Sequence, residues 1–226
     1  MKKLFLLVTT VLMALTSCTE ENAVNESLPL GKIQATFEEG IASRLAVGDK
    51  NVLTWSAEDA FSMFNENGNG TEWTLEGTGG EETGVFAGVV PTGTLKGAAF
   101  PATASPSWTG NDLTMNLPAE LTYKAGICNL PMWASFSSIE ENISFKHLAA
   151  LLKVDFTDIP EGYTSLVVTT DKPIAGMFTA DMSQQEPVLK PVDGGINSVK
   201  VSFAAIGSED NDRMFYIPLP VGTYEF

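Results

Sequence analysis

The chain reads as an all-β sandwich, and three observations predict it. Gly and Pro interrupt the sequence every eight to fifteen residues. The runs between them favour β-branched and aromatic side chains, and several alternate apolar with polar residues at the period of a strand with one buried face. A hydrophobic content of 44%, with thirteen Phe and four Trp, is enough to fill a substantial core.

The amino end is a separate unit. Met1-Lys2-Lys3 is basic, Leu4 to Leu15 is apolar, and Leu15-Thr16-Ser17 places small residues directly before Cys18. An apolar run of about twelve residues makes a helix of roughly 18 Å, too short for a hydrocarbon core of about 30 Å but the right length for a secretory signal. Residues 1–17 therefore read as a lipoprotein signal peptide, with Cys18 as the acylated first residue of the mature chain. Residues 18–31 read as a lipidated flexible tether, because Thr19–Pro29 is polar, acidic and without apolar period. Residues 32–226 form the β-sandwich.

Ile33–Phe37 alternates and opens the strands. Val52–Trp55 reads as a strand leading to a second at Ala60–Phe64, and Asn65–Gly70 holds residues that tolerate positive φ, predicting a turn before Trp73–Leu75. Gly84–Val90 follows another Gly-rich turn, Ala98–Phe100 ends at Pro101, and Leu113–Leu117 alternates. Phe145–Phe156 contains good helix formers, yet Leu152, Val154 and Phe156 alternate with Lys153 and Asp155, which favours a strand over a short helix. The run stops at a turn over Ile159–Gly162. Ser165–Thr170, Gly176–Asp181, Ser198–Phe203 and Arg213–Pro220 supply further β segments, and Val221–Phe226 alternates as one more strand. A chain ending on Phe226 within such a strand reads as truncated at its carboxy terminus.

Charge narrows the function. The formal net charge is −15, and removing residues 1–17 takes away Lys2 and Lys3 and no acid, which moves it to −17. Such a surface repels phosphates, so nucleic acid is not an expected partner, and attachment to a membrane has to come from the lipid. With Cys18 acylated, Cys128 has no partner within the chain and reads as a buried thiol.

A search for catalytic chemistry yields little. The one histidine, His147, makes a histidine dyad impossible and reads as a hydrogen-bonded residue at the edge of the core. No Gly-x-Ser-x-Gly elbow is present. The carboxylate pairs Glu58/Asp59 and Asp155/Asp158 are unremarkable in so acidic a chain, and Ser208–Asp212 lacks the frame of a calcium loop and reads as a solvated hairpin tip. No metal and no cofactor is expected, and the chain does not read as an enzyme. Trp108, within Ser105-Pro106-Ser107-Trp108-Thr109-Gly110, is the tryptophan expected to stand exposed on a loop and is the candidate ligand contact.

Several segments taken together carry a resemblance. Ala42-Ser43-Arg44 followed by Val52-Leu53-Thr54-Trp55-Ser56-Ala57-Glu58-Asp59-Ala60-Phe61 resembles the opening of the fimbrillin-like proteins of Bacteroidetes, the type V pilins and their relatives. Ile143-Ser144-Phe145-Lys146-His147-Leu148-Ala149-Ala150-Leu151-Leu152-Lys153-Val154, Pro173-Ile174-Ala175-Gly176-Met177-Phe178-Thr179-Ala180-Asp181 and Tyr216-Ile217-Pro218-Leu219-Pro220-Val221-Gly222-Thr223-Tyr224 are similar to later motifs of that family. The resemblance spans residues 33–226. It implies transthyretin-like β-sandwich domains, export as a lipoprotein to the outer membrane, and assembly into surface fimbriae. It also implies cleavage by an arginine-specific protease, with Arg44 at the matching position, after which the first strand leaves and a neighbour's strand replaces it. Arg44 is otherwise an uncut surface residue of a monomeric relative. The chain departs from the pattern in being shorter than two-domain members and lacking most of a second sandwich, including the carboxy-terminal donor strand.

The expected function is thus a structural or adhesive fimbrial subunit, anchored in the outer membrane and exposed at the surface. Its expected partners are other subunits or itself, and host or bacterial surface glycans or proteins. The alternative is a monomeric glycan-binding surface lipoprotein.

Overall fold

The structure is a computed structural model and describes residues 30–38, 53–127, 129–206 and 212–226. Its strands, in chain order, are β1 (Leu30–Phe37), β2 (Ala60–Asn65), β3 (Gly70–Leu75), β4 (Gly84–Val89), β5 (Leu95–Phe100), β6 (Ser107–Thr109), β7 (Asp112–Leu117) and β8 (Glu120–Thr122). They continue with β9 (Met132–Ser135), β10 (Ile143–His147), β11 (Ala149–Phe156), β12 (Ser165–Thr169), β13 (Gly176–Asp181), β14 (Lys190–Pro191), β15 (Ser198–Ser202) and β16 (Arg213–Pro220). A single 3-10 turn at Ala102–Ala104 is the only helical element among the described residues, so the fold is all-β.

Seven strands close into a ring in the order β1-β10-β9-β5-β2-β3-β4. The alternation that predicts these strands also fills the ring. Ile33, Phe61, Trp73, Phe86, Met132 and Phe145 point inward and are at most 2% exposed. A four-stranded sheet, β14-β13-β7-β6, adds Leu113, Met115 and Phe178 to the same core. The remaining strands form a two-stranded sheet, β11-β16, and a three-stranded sheet, β12-β15-β8. These enclose a second buried cluster with Val199, Val201, Phe215 and Ile217 at its centre. A cleft of about 640 Å³ lies between the two clusters.

The turn expected at Asn65–Gly70 is built on a buried polar side chain. Asn65, 1% exposed, accepts the backbone N–H groups of Asn67 (3.0 Å) and Asn69 (2.9 Å) at Oδ1 and donates from Nδ2 to the Thr92 carbonyl (2.6 Å). The first two bonds brace the β2–β3 turn from within and the third ties it to the loop before β5, so the buried amide's oxygen and nitrogen are both satisfied.

Four expectations are corrected. Leu30 and Gly31, assigned to the tether, already belong to β1. Leu53–Trp55 is not a strand, because the Trp55 N–H goes to the Glu81 carbonyl (2.9 Å) and its carbonyl receives the Gly80 N–H (2.7 Å), leaving only an isolated bridge between Ser56 and Gly79. Phe145–Phe156 is extended but divided at Leu148, where β10 leaves the ring and β11 enters the second cluster. Val221–Phe226 joins no sheet: Glu225 exchanges bonds with Asp171, and the Tyr224 hydroxyl donates to the Pro220 carbonyl (2.6 Å).

Candidate strand-exchange site

β1 is the strand that closes the ring. Its sequence, Leu-Gly-Lys-Ile-Gln-Ala-Thr-Phe, buries Gly31, Ile33, Ala35 and Phe37 and turns the intervening residues outward. On one edge it pairs antiparallel with β4, from Leu30 opposite Val89 to Ala35 opposite Gly84. On the other it pairs parallel with β10 over Ala35–Phe37, and the Glu38 N–H extends that ladder to the Phe145 carbonyl (3.0 Å). Gly31 is required by packing: a Cβ there would sit 2.8 Å from the Trp73 ring and 2.9 Å from Val90.

Trp55 pins this strand from inside. Its ring stacks on Phe37 at 4.4 Å and meets Phe86, Phe100 and Phe145 edge-on at 4.9, 5.6 and 5.8 Å. The indole N–H donates to the Ala35 carbonyl (3.2 Å). Two ion pairs lie outside, Lys32–Glu76 (2.8 Å) and Lys146–Glu38 (3.3 Å). Both are exposed and each contributes at most about 1 kcal/mol. The grip on β1 is therefore its two backbone ladders and the burial of Ile33 and Phe37, each contributing about 1.5–3 kcal/mol. The connection from β1 to Trp55 runs through residues 39–52. A cut there leaves the strand held by non-covalent contacts alone on its carboxy-terminal side.

Arg44 belongs to that connection and lies outside the described residues, as do Cys18, Cys128 and residues 208–211. Trp108 is a correction: it is 3% exposed, not a loop platform. It sits on β6 against β7, edge-on to Phe64 at 6.1 Å, with the Lys96 ammonium 5.1 Å above its ring. Glu58 pairs with Lys124 (3.4 Å), and Asp59 Oδ2 accepts the Ser56 N–H (2.7 Å). Burial pushes the Asp59 carboxyl above its ordinary value, with the Ser56 bond pulling the other way. Among the described residues no group of three or more His, Cys, Asp or Glu could hold a metal ion.

His147 is the second correction. It ends β10, and both ring nitrogens are buried without a hydrogen-bond partner among the described residues. Burial pushes its pKa below 6.5, against an opposing pull from the Glu38 carboxylate. The folded state thus takes up the proton less readily than the unfolded chain, so stability is full above about pH 6.5 and falls as acidification passes through the folded-state value. Urea midpoints for wild type and His147→Leu, measured at neutral pH and near pH 5, test this. The wild type is expected to lose ground to the variant on acidification, and parallel midpoints would remove the claim.

Sequence reasoning missed the bond from Trp55 to the Ala35 carbonyl, since nothing local to either residue announces it. It also missed the cleft, whose lining comes from five separate stretches between Ser56 and Pro218. No family model, no curated protein and no solved structure matches the chain.

Proposed function

We propose that the protein is a structural or adhesive subunit of surface fimbriae, exported as a lipoprotein acylated at Cys18 and held in the outer membrane. In this reading the fold is a transthyretin-like β-sandwich, its opposite walls meeting across Trp55, Phe61, Phe86 and Phe145. Cleavage after Arg44 frees β1, and a strand from another subunit or another copy takes its place between β4 and β10.

The observation that carries the reading is the position of β1. It bonds along both edges, supplies three inward apolar side chains and immediately precedes the segment that contains Arg44. Its departure opens two edges of unpaired N–H and C=O groups over an apolar trough, which an extended strand with the same alternation satisfies. A charge of −15 offers nothing to nucleic acid, and the motifs at 42–61, 143–154 and 173–181 point the same way.

An arginine-specific protease tests it. The purified chain is digested, cleavage after Arg44 is confirmed by mass, and a fluorescent peptide copying residues 30–38 is added. The cleaved protein is expected to take up the peptide or to form ladders of oligomers, while intact protein and Arg44→Ala do neither. Complete cleavage that leaves a monomer without uptake overturns the proposal.

A further inference from the structure

β11 carries the longest proline-free edge left bare among the described residues. It runs eight residues and bonds to β16 alone, so along its other side the backbone N–H and C=O groups meet no strand. β16, equally long, contains Pro218 and Pro220, which have no N–H to offer. The outermost strands of the other open sheets, β6, β8, β12 and β14, are two to five residues long.

The side chains of β11 are also unfinished business for the core. Leu152 and Val154 pack against the second buried cluster yet stay half-buried, and Phe156, edge-on to Phe215 at 6.2 Å, is 41% exposed. That cluster lies between sheets of only two and three strands, and its open flank runs along β11. On the opposite face of the strand Lys153 and Asp155 are exposed, and neither has an ion-pair partner among the described residues.

Residues paired across a sheet share a face, so a strand that fits this edge brings apolar side chains to one side and, on the other, an acid and a base in the right order. β11 itself meets both demands. Laid antiparallel on a second copy about Val154, it sets Leu152 against Phe156 of the second copy, Val154 against Val154, and Lys153 against Asp155, the last two-fold repeated. Centring the pair on Lys153 or on Asp155 instead sets like charges directly opposite each other, which is destabilising. An edge lysine ordinarily discourages pairing, but here its counter-charge lies two positions further along the same strand.

We propose that two copies of the chain pair through β11, antiparallel and centred on Val154, in an isologous dimer whose continuous β16-β11-β11-β16 sheet closes the open flank of both second clusters. The proposal goes beyond the fimbrial reading, since this edge is bare without any cleavage and takes no part in the ladders of β1.

Sedimentation of the purified chain at about 0.15 M salt, where repulsion between two acidic molecules is screened beyond about 8 Å, reads the association. Wild type and Arg44→Ala are expected to dimerise alike, which separates this pairing from strand replacement at β1. Lys153→Glu and Asp155→Lys are each expected to raise the dissociation constant about tenfold or more, because two opposite-charge pairs become two like-charge pairs at once. Both substitutions together restore opposite signs across the axis and are expected to return the constant near its wild-type value. Oxidation reads the register: paired antiparallel residues have Cα atoms about 4.5–5.5 Å apart, within disulfide reach, so Val154→Cys is expected to cross-link to its counterpart. Val167→Cys, exposed on β12, is expected not to. A monomer at every concentration, single charge reversals without effect, a charge exchange that fails to restore pairing, or cross-linking no stronger at residue 154 than at 167 overturns the proposal.

Discussion

Replacing Trp55 with alanine is expected to lower the free energy of unfolding by about 3–5 kcal/mol, the range for removing a large aromatic from a packed core. The side chain is 2% exposed and touches four other aromatic rings drawn from β1, β4, β5 and β10. Alanine leaves a cavity where four rings converge, and those rings stand on strands whose ladders resist collapse around it. The Ala35 carbonyl also loses its indole donor. Trp55→Phe separates the two effects: it keeps most of the volume and loses the bond, so a cost near 1 kcal/mol from the bond is expected, with a smaller cavity. Urea denaturation reads the totals, and amide exchange along β1 reads where the loss falls. β1 is expected to exchange faster than β7 in Trp55→Ala. A loss below about 1 kcal/mol, or equal effects on β1 and β7, contradicts the role assigned to this ring.

Gly97→Ala is expected to cost about 1–3 kcal/mol or more, through crowding and not through a lost contact. A methyl at residue 97 would fall on the Ala134 carbonyl oxygen and within 2.9 and 3.0 Å of two carbons of the Trp108 ring. Neither neighbour can yield cheaply. Ala134 is held in the β5–β9 ladder, and Trp108 is wedged against Phe64. Adding Trp108→Leu removes the ring and not the carbonyl. The double variant is therefore expected to recover only part of what the methyl costs, measured against Trp108→Leu alone. Thermal or urea unfolding of the four proteins supplies the comparison, and purely additive effects would show that the ring does not press on this glycine.

What the sequence made legible was local. β1, β7 and β15 alternate along their lengths, and their buried faces are the ones the alternation predicts. The Asn65–Gly70 turn was readable because Asn and Gly are the residues such a backbone needs. Trp108 was misread for a physical reason. Its flanks of Ser, Pro, Thr and Gly signal a loop, and a loop of sorts is there, but Gly97 leaves a hollow on β5 that only the indole fills. The hollow is eleven residues away and has no signature near Trp108. Leu53–Trp55 and Val221–Phe226 failed differently: their backbone groups bond to a turn and to Asp171 instead of to a neighbouring strand, and Val221 and Phe226 stand exposed. His147 was expected to have a partner because a polar group at a core edge ordinarily does, and that expectation rests on frequency, not on any neighbour in the sequence. The cleft was invisible because it exists only once distant stretches meet.

The parallel pairing of β1 with β10 also sets an order in time. Ala35 faces Ile143, more than a hundred residues further along the chain, whereas β4, its antiparallel neighbour, arrives much earlier. A polypeptide emerging amino end first holds its opening segment against one companion while the other has yet to be made. The clasp that shuts the cylinder thus waits until β10 has emerged, and contacts so distant in sequence form slowly. Until then the newborn molecule carries an open seam along the free edge of β1.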